Sequence, residues 1–165
     1  MLVVLSGLPG VGKTAIARQL AVALGAVHVR IDSIEQALRD AGSVVEGEGY
    51  AVGYAVAEDN LRVGRIVVAD CVNPWLLTRN EWRAVADRAD VRAIDVEVVC
   101  TDVEEHKRRV EARAADIPGH HLPTWAEVMQ RDYQPWNSDR FVIDTARLDV
   151  AESVGAILSV VLSER

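Results

Sequence analysis

Short apolar runs alternate with stretches of helical period along the whole chain. Leu2–Leu5 is a continuous apolar run, which predicts a strand buried on both faces. From Lys13 onward Ile16, Leu20, Ala23 and Leu24 fall on one helix face, and Gly25 is a fitting stop. Val27–Ile31 predicts a second strand ending at Asp32-Ser33, chemistry that could cap the helix "IEQALRDA". The glycine-rich "SVVEGEG" predicts a loop, and Tyr50–Val63 a helix. Arg65–Asp70 predicts a third strand, followed by a helix that aligns Trp82, Val85, Ala86 and Ala89. Asp95–Cys100 predicts a fourth strand opening into the charged helix "DVEEHKRRVEARAA". Pro118, Gly119 and Pro123 break the chain before a short helix at "TWAEV". Arg140–Asp144 predicts a fifth strand, and a last helix aligns Val150, Val154, Ile157, Leu158 and Val161.

Strands that alternate with helices require right-handed crossovers, hence an α/β fold with a five-stranded parallel sheet covered on both faces. The 165 residues fit a single domain, 1–165, with no repeat or linker. A net charge of −7 disfavours an extended nucleic-acid face, though not a small basic pocket. Cys71 and Cys100 are far apart and lack metal-ligand spacing, so they are expected as reduced packing residues of a cytoplasmic protein. The start of the chain lacks the basic region of a secretory signal, and no apolar run is long enough for a membrane span.

Residues Gly7 to Thr14 read G-L-P-G-V-G-K-T, between the first strand and the first helix. This is the full P-loop pattern G-x-x-x-x-G-K-[ST] in the context its mechanism requires. Glycines let backbone N–H groups turn inward around phosphate oxygens, and the helix N-terminus adds partial positive charge. The expected phosphate cradle runs over Gly7, Pro9, Gly10, Val11, Gly12, Lys13, Thr14 and Ala15. Lys13 would reach the β- and γ-phosphates of ATP, and the Thr14 hydroxyl would ligate Mg²⁺. Asp70 ends an apolar strand in the manner of a Walker B aspartate and would hold the same metal; a turn aspartate is the plainer alternative. The segment "CTDVEE" lacks the Asn-Lys-x-Asp guanine reader of GTPases, and the chain is shorter than most oligomeric ATPases.

With "GLPGVGKT", "RIDS", "VVAD" and "RVEAR" in that order, the chain resembles the small P-loop kinases that phosphorylate a hydroxyl on a small molecule. Chloramphenicol phosphotransferase, adenylylsulfate kinase, gluconate kinase and the zeta-toxin-like kinases are of this kind. The resemblance implies a three-layer, nucleoside-monophosphate-kinase-like fold and an aspartate after the second strand that faces the acceptor. Asp32 matches that position, at the carboxyl end of strand two next to the P-loop that ends strand one. There it would orient the acceptor hydroxyl or accept its proton; capping the next helix is the alternative. Adenylylsulfate kinases carry Asp-Gly-Asp where this chain has "RIDSIEQ", which points away from sulfate activation.

The resemblance also implies a lid over residues 104–123, with Arg109 and Arg113 on one helix face at i, i+4. One arginine would cover the nucleotide, and the other would neutralise the transferred phosphoryl; a solvated helix face is the alternative for Arg109. Arg108 is expected at the surface, His120-His121 in an exposed loop with substrate contact on lid closure as the alternative, and Arg147 near the adenine. Asn73 and Trp75 could serve the acceptor pocket, with core packing equally open for Trp75; Tyr54 and Glu58 are further pocket candidates. The expected reaction is ATP- and Mg²⁺-dependent transfer of the γ-phosphoryl group to a small hydroxylated acceptor. A nucleotide, nucleotide-sugar or polynucleotide 5′-hydroxyl kinase, an ATP hydrolase, and an ATP-binding module with little turnover are the alternatives.

Overall fold

The computed structural model describes residues 1–163. The elements are β1 (Leu2–Ser6), α1 (Lys13–Leu24), β2 (Val27–Arg30), α2 (Ile31–Asp40), α3 (Glu48–Arg62), β3 (Val67–Asp70) and α4 (Leu76–Arg88). Then follow β4 (Ala93–Val99), α5 (Val103–Ala112), α6 (Trp125–Gln130), β5 (Phe141–Asp144) and α7 (Val150–Ser163). The five strands pair in parallel in the order β2-β3-β1-β4-β5.

β1 is the central strand, and all of its residues are buried. On one face Val3, Leu5, Val68, Val96 and Val98 pack against Ile16 and Leu20 of α1 and Ile157 and Val161 of α7. On the other, Leu2, Val4, Val67 and Ala69 pack beneath Ala57 and Leu61 of α3 and Trp82 and Val85 of α4. Burial on both faces is why these strands read as continuous apolar runs rather than alternating ones. Trp82 centres the second layer, with Tyr54 edge-on to it at 4.6 Å between ring centroids. β4 differs, because its second face carries the carboxylates Asp95 and Glu97. Arg83 of α4 meets Asp95 at 2.6 Å, and Arg140 meets Glu97 at 2.6 Å.

Several boundaries move relative to the sequence pattern. β2 ends at Arg30, so Ile31 and Asp32 already belong to α2. Ile31 is pinned in the core against Gly53, where an added Cβ would stand 2.4 Å from Ile31 Cδ1. That anchor starts the helix at once, with Arg30 in the cap position and no side-chain cap, so neither Asp32 nor Ser33 caps it. β3 lies between β1 and β2, so Asp32 reaches the P-loop across the end of β3 rather than from the neighbouring strand. α5 stops at Ala112 although Arg113-Ala114-Ala115 has good helix propensity; Arg113 is extended at φ −71°, ψ 143°. Just beyond that end, Asp116 pairs with Arg30 and Arg18. Among the described residues no helix is long and apolar enough to cross a membrane.

Candidate active site

The carboxyl ends of β1, β2 and β3 open into a cavity of about 890 Å³. Order reversal around β1 places it where ligands collect in open parallel sheets. Pro9, Gly10, Gly12, Lys13, Thr14 and Ala15 line it, whereas Gly7 and Val11 shape the loop from behind. Gly7 has φ +145°, and a Cβ there would stand 2.2 Å from the Val98 carbonyl oxygen. Gly10 has φ +86°, and its Cβ would meet Val110 Cγ2 at 2.4 Å. Only glycine satisfies both the backbone angle and the close approach at these positions. Val11 is buried, and its carbonyl accepts the Thr145 hydroxyl at 2.8 Å. The loop is therefore tied to the end of β5.

Lys13 opens α1 and is buried, its Nζ donating to the Leu8 carbonyl at 2.9 Å. Burial pulls its ammonium below the usual lysine range, while the Asp70 and Asp32 carboxylates pull it back up. Asp70 ends β3 and is 3% exposed. Burial would raise its carboxyl, but His28, Lys13 and the Thr14 hydroxyl together hold it below the ordinary aspartate value. Asp70 Oδ2 is buried without a hydrogen-bond partner, 3.5 Å from His28 Nε2 and 3.9 Å from Arg30 Nε. An ionised carboxylate with a free oxygen beside a threonine hydroxyl is a hard oxygen donor set of the kind Mg²⁺ takes, the remaining ligands being phosphate and water. Among the described residues no group of three or more His, Cys, Asp or Glu side chains could hold a metal by itself.

Asp32 lies in the first turn of α2, with its side chain 41% exposed into the cavity and 4.0 Å from His120 Nε2. Arg113 enters the same cavity, and its Nε and Nη2 are buried without a hydrogen-bond partner. Because α5 ends at Ala112, Arg109 and Arg113 do not share a helix face. Arg109 instead turns toward β5. Its Nη1 donates to Thr145 Oγ1 at 2.9 Å, its Nη2 to the Thr145 carbonyl at 3.0 Å, and its Nε to Glu105 at 2.7 Å. There it lines a second cavity of about 540 Å³, together with Gly12, Ala146, Arg147 and Leu148. Arg109 borders both cavities.

Other candidates fall elsewhere. Asn73 is fully buried and turned inward, its amide donating to Ser6 Oγ at 2.9 Å. Trp75 is neither core nor cavity; it is 43% exposed, and its indole donates to Asp132. Tyr54 donates to the Thr78 carbonyl inside the second layer, and Glu58 pairs with Arg62 and Arg88 on the outside. Neither lines the cavity, because α3 spends its inner face on the core. Arg108 is largely exposed and paired with Glu105, at the cavity rim. His121 is exposed as expected, whereas His120 is mostly enclosed and faces the cavity.

Three groups went unrecognised in the sequence. His106 of α5 approaches the Pro9 carbonyl at 2.9 Å through Nε2 and stacks edge-on to Trp125, tying α5 to the P-loop. Arg30 and Asp116 pair across the cavity. Their partners lie 97 and 86 positions away, so no local spacing could reveal them.

The solved structures with the same architecture include several kinases. The APS kinase CysC of Mycobacterium tuberculosis, solved with AMPPNP and APS, superposes with a TM-score of 0.74 at 17% identity, covering 98% of this chain and 96% of that one. A gluconokinase from Sinorhizobium meliloti matches at 0.62 and 15% identity, over 98% and 95% of the two chains. Kti12 of Chaetomium thermophilum, solved with ADP-AlF3, matches at 0.71 and 24% identity, over 96% and 98%. At these identities the likeness establishes the fold. A search of curated proteins finds no match by sequence. A family model described as an AAA domain matches residues 2–131, which include the P-loop, Asp32, Asp70, Arg109 and Arg113. The chain therefore belongs to this AAA-domain family of P-loop proteins.

Proposed function

We propose that the chain is an ATP-dependent phosphotransferase that acts on a hydroxyl of a small polar molecule. One observation carries the reading: Lys13, Thr14, Asp70, Asp32 and Arg113 all line one cavity at the carboxyl ends of the strands. Two kinases among its structural neighbours, and the nucleotide analogues bound to CysC and to Kti12, support the same reading.

Lys13 and the loop amides would bind the β- and γ-phosphates, with Arg109 and Thr145 bordering the nucleoside end. Thr14 and Asp70 would hold Mg²⁺. Bound there, the metal supplies charge neutralisation between the β- and γ-phosphates. Asp32 would orient the acceptor hydroxyl and accept its proton as the phosphoryl group passes across. Arg113, with two unspent donors, would neutralise charge developing on the transferred group. The acceptor pocket lies between α2 and residues 113–123, not against α3. Two free, buried cysteines suit a reducing, cytoplasmic setting, and residues 1–165 are read as one kinase domain.

The test is ADP release from Mg·ATP across a panel of hydroxylated acceptors: antibiotics, sugars, nucleosides, adenylylsulfate and a 5′-hydroxyl oligonucleotide. One acceptor class should raise the rate. Lys13→Ala should abolish ATP use, and Asp32→Ala should abolish transfer while sparing ATP binding. ADP release that no acceptor raises would overturn the reading in favour of a hydrolase or a nucleotide-gated module.

A further inference from the structure

Eight Lys or Arg side chains and five Asp or Glu side chains line the cavity, a basic lining in a chain whose net charge is −7. Arg30 stands at the end of β2 with its side chain 12% exposed. Its Nη1 and Nη2 reach the two oxygens of Asp116 at 2.7 and 3.0 Å. Arg18 of α1 adds a third contact, 2.5 Å to Asp116 Oδ2. The two arginines come from a strand and a helix that the core holds in place, whereas Asp116 comes from the segment between α5 and α6. Its carboxylate is 43% exposed and makes no other ion pair among the described residues. A paired guanidinium fork is the geometry that receives a carboxylate, phosphate or sulfate group. Across the same cavity Arg113 keeps two buried nitrogens without a partner, and Asp32 is within electrostatic reach of both Arg30 and Arg113.

We propose that Arg30 and Arg18 form a subsite for an oxyanion carried by the acceptor, and that Asp116 holds this subsite until the acceptor displaces it. The inference rests on the phosphotransferase reading and narrows its acceptor to an anionic alcohol, one that bears a phosphate, sulfate or carboxylate group. A neutral sugar or antibiotic would leave Arg30 paired with Asp116. Arg30 and Arg18 hold the Asp116 carboxyl well below the ordinary aspartate range, so protonation does not vacate the subsite near neutral pH. The exchange is one anion for another, and no covalent bond changes. It also moves the lid: releasing Asp116 frees the segment that starts at Arg113 to settle over whatever has bound.

The experiment is a calorimetric titration of sulfate into protein saturated with Mg·AMPPNP, so that the P-loop does not take the probe. Phosphate and acetate titrations rank the three anion classes. A repeat in nucleotide-free Lys13→Ala protein keeps the test valid if AMPPNP does not bind. Sulfate should bind the folded wild-type protein, and Asp116→Asn should tighten it about tenfold by removing the resident carboxylate. Adding Arg30→Gln or Arg18→Gln should erase that gain. Equal sulfate affinity in the wild type and Asp116→Asn would make Asp116 a structural latch and overturn the inference, as would a gain that survives loss of both arginines. In the acceptor assay, matched pairs of an alcohol and its anionic derivative complete the test. Stimulation by the anionic member, with a lower KM in Asp116→Asn, supports the subsite. Stimulation by neutral members alone overturns it while the phosphotransferase reading stands. If no acceptor is used, that reading falls, and the sulfate titration still decides the subsite.

Discussion

Lys13 and Asp70 show how single residues here are set by their surroundings. Each is a buried charge, which is costly in isolation, and each lies within reach of the other and of a further polar group. His106 is held differently. Burial lowers its pKa, and Lys13, Arg109 and Arg113 lower it further, so near neutral pH the ring is uncharged. With no proton on Nδ1, its Nε2–H donates to the Pro9 carbonyl. Asp116 has the opposite balance, since two arginines depress its carboxyl pKa. A depressed carboxyl stabilises the fold in full above its unfolded value, near 3.8, and loses that contribution as pH falls through the lower folded value. Asp116→Asn should therefore cost a constant amount of stability from about pH 8 to about pH 5, and progressively less below about pH 4. Asp116 is partly exposed, so solvent screening limits the cost to about 1 kcal/mol or less. Thermal melts of both proteins across that range would check it. A penalty that grows toward low pH would contradict the pairing.

At the scale of elements, the segment between α6 and β5 substitutes for a covering helix. It is held by Arg79 of α4, which is 1% exposed. The guanidinium donates to the carbonyls of Asn73 at 3.0 Å and Gln134 at 2.8 Å, with longer contacts to those of Pro74 and Pro135. Its plane sits 4.1 Å from the centre of the Trp136 ring. Arg79→Ala would strand several carbonyls and leave a cavity, so a loss of about 3 kcal/mol is expected. For a chain of this size that is a fall in Tm of roughly 9 °C. Arg79→Lys should recover little, because an ammonium cannot reproduce the planar fork. A fall below about 3 °C for Arg79→Ala would show that the segment stands without its clamp. The periodic pattern exposes the strands and most helices, since β1 and α1 bury continuous or regularly spaced apolar positions. The P-loop is equally legible, being local and fixed by glycine geometry. Arg79 is not, because "TRNEWRAVADR" looks like an ordinary solvated face and the segment it clamps, Tyr133 to Trp136, lies more than fifty residues further on. Nor is the end of α5, since Arg113-Ala114-Ala115 has good helix propensity and Asp116, just beyond it, pairs with residues far back in the chain.

Across the whole molecule, that early end of α5 turns the two arginines different ways, Arg113 into the larger cavity alone and Arg109 to the border of both. Arg109 is fastened by Thr145 and Glu105 on the side of β5, where the smaller cavity lies. Arg113 keeps Nε and Nη2 without a hydrogen-bond partner among the described residues, and it lines the larger cavity together with Asp32. If a nucleotide spans the P-loop between them, Arg109 meets it in the ground state and Arg113 meets charge that develops only during transfer. The two substitutions should then separate in kinetics. Arg109→Ala removes a charge-assisted contact and should weaken ATP binding about tenfold, with a smaller change in kcat. Arg113→Ala should lower kcat by about 10²–10³-fold and leave the Kd for ATP within a factor of about three. Direct nucleotide titration beside steady-state rates measures both quantities for each variant. The reverse assignment, with Arg113→Ala losing ATP affinity and Arg109→Ala losing only turnover, would place the transferred phosphoryl group under Arg109. The break in the helix would then have no catalytic consequence.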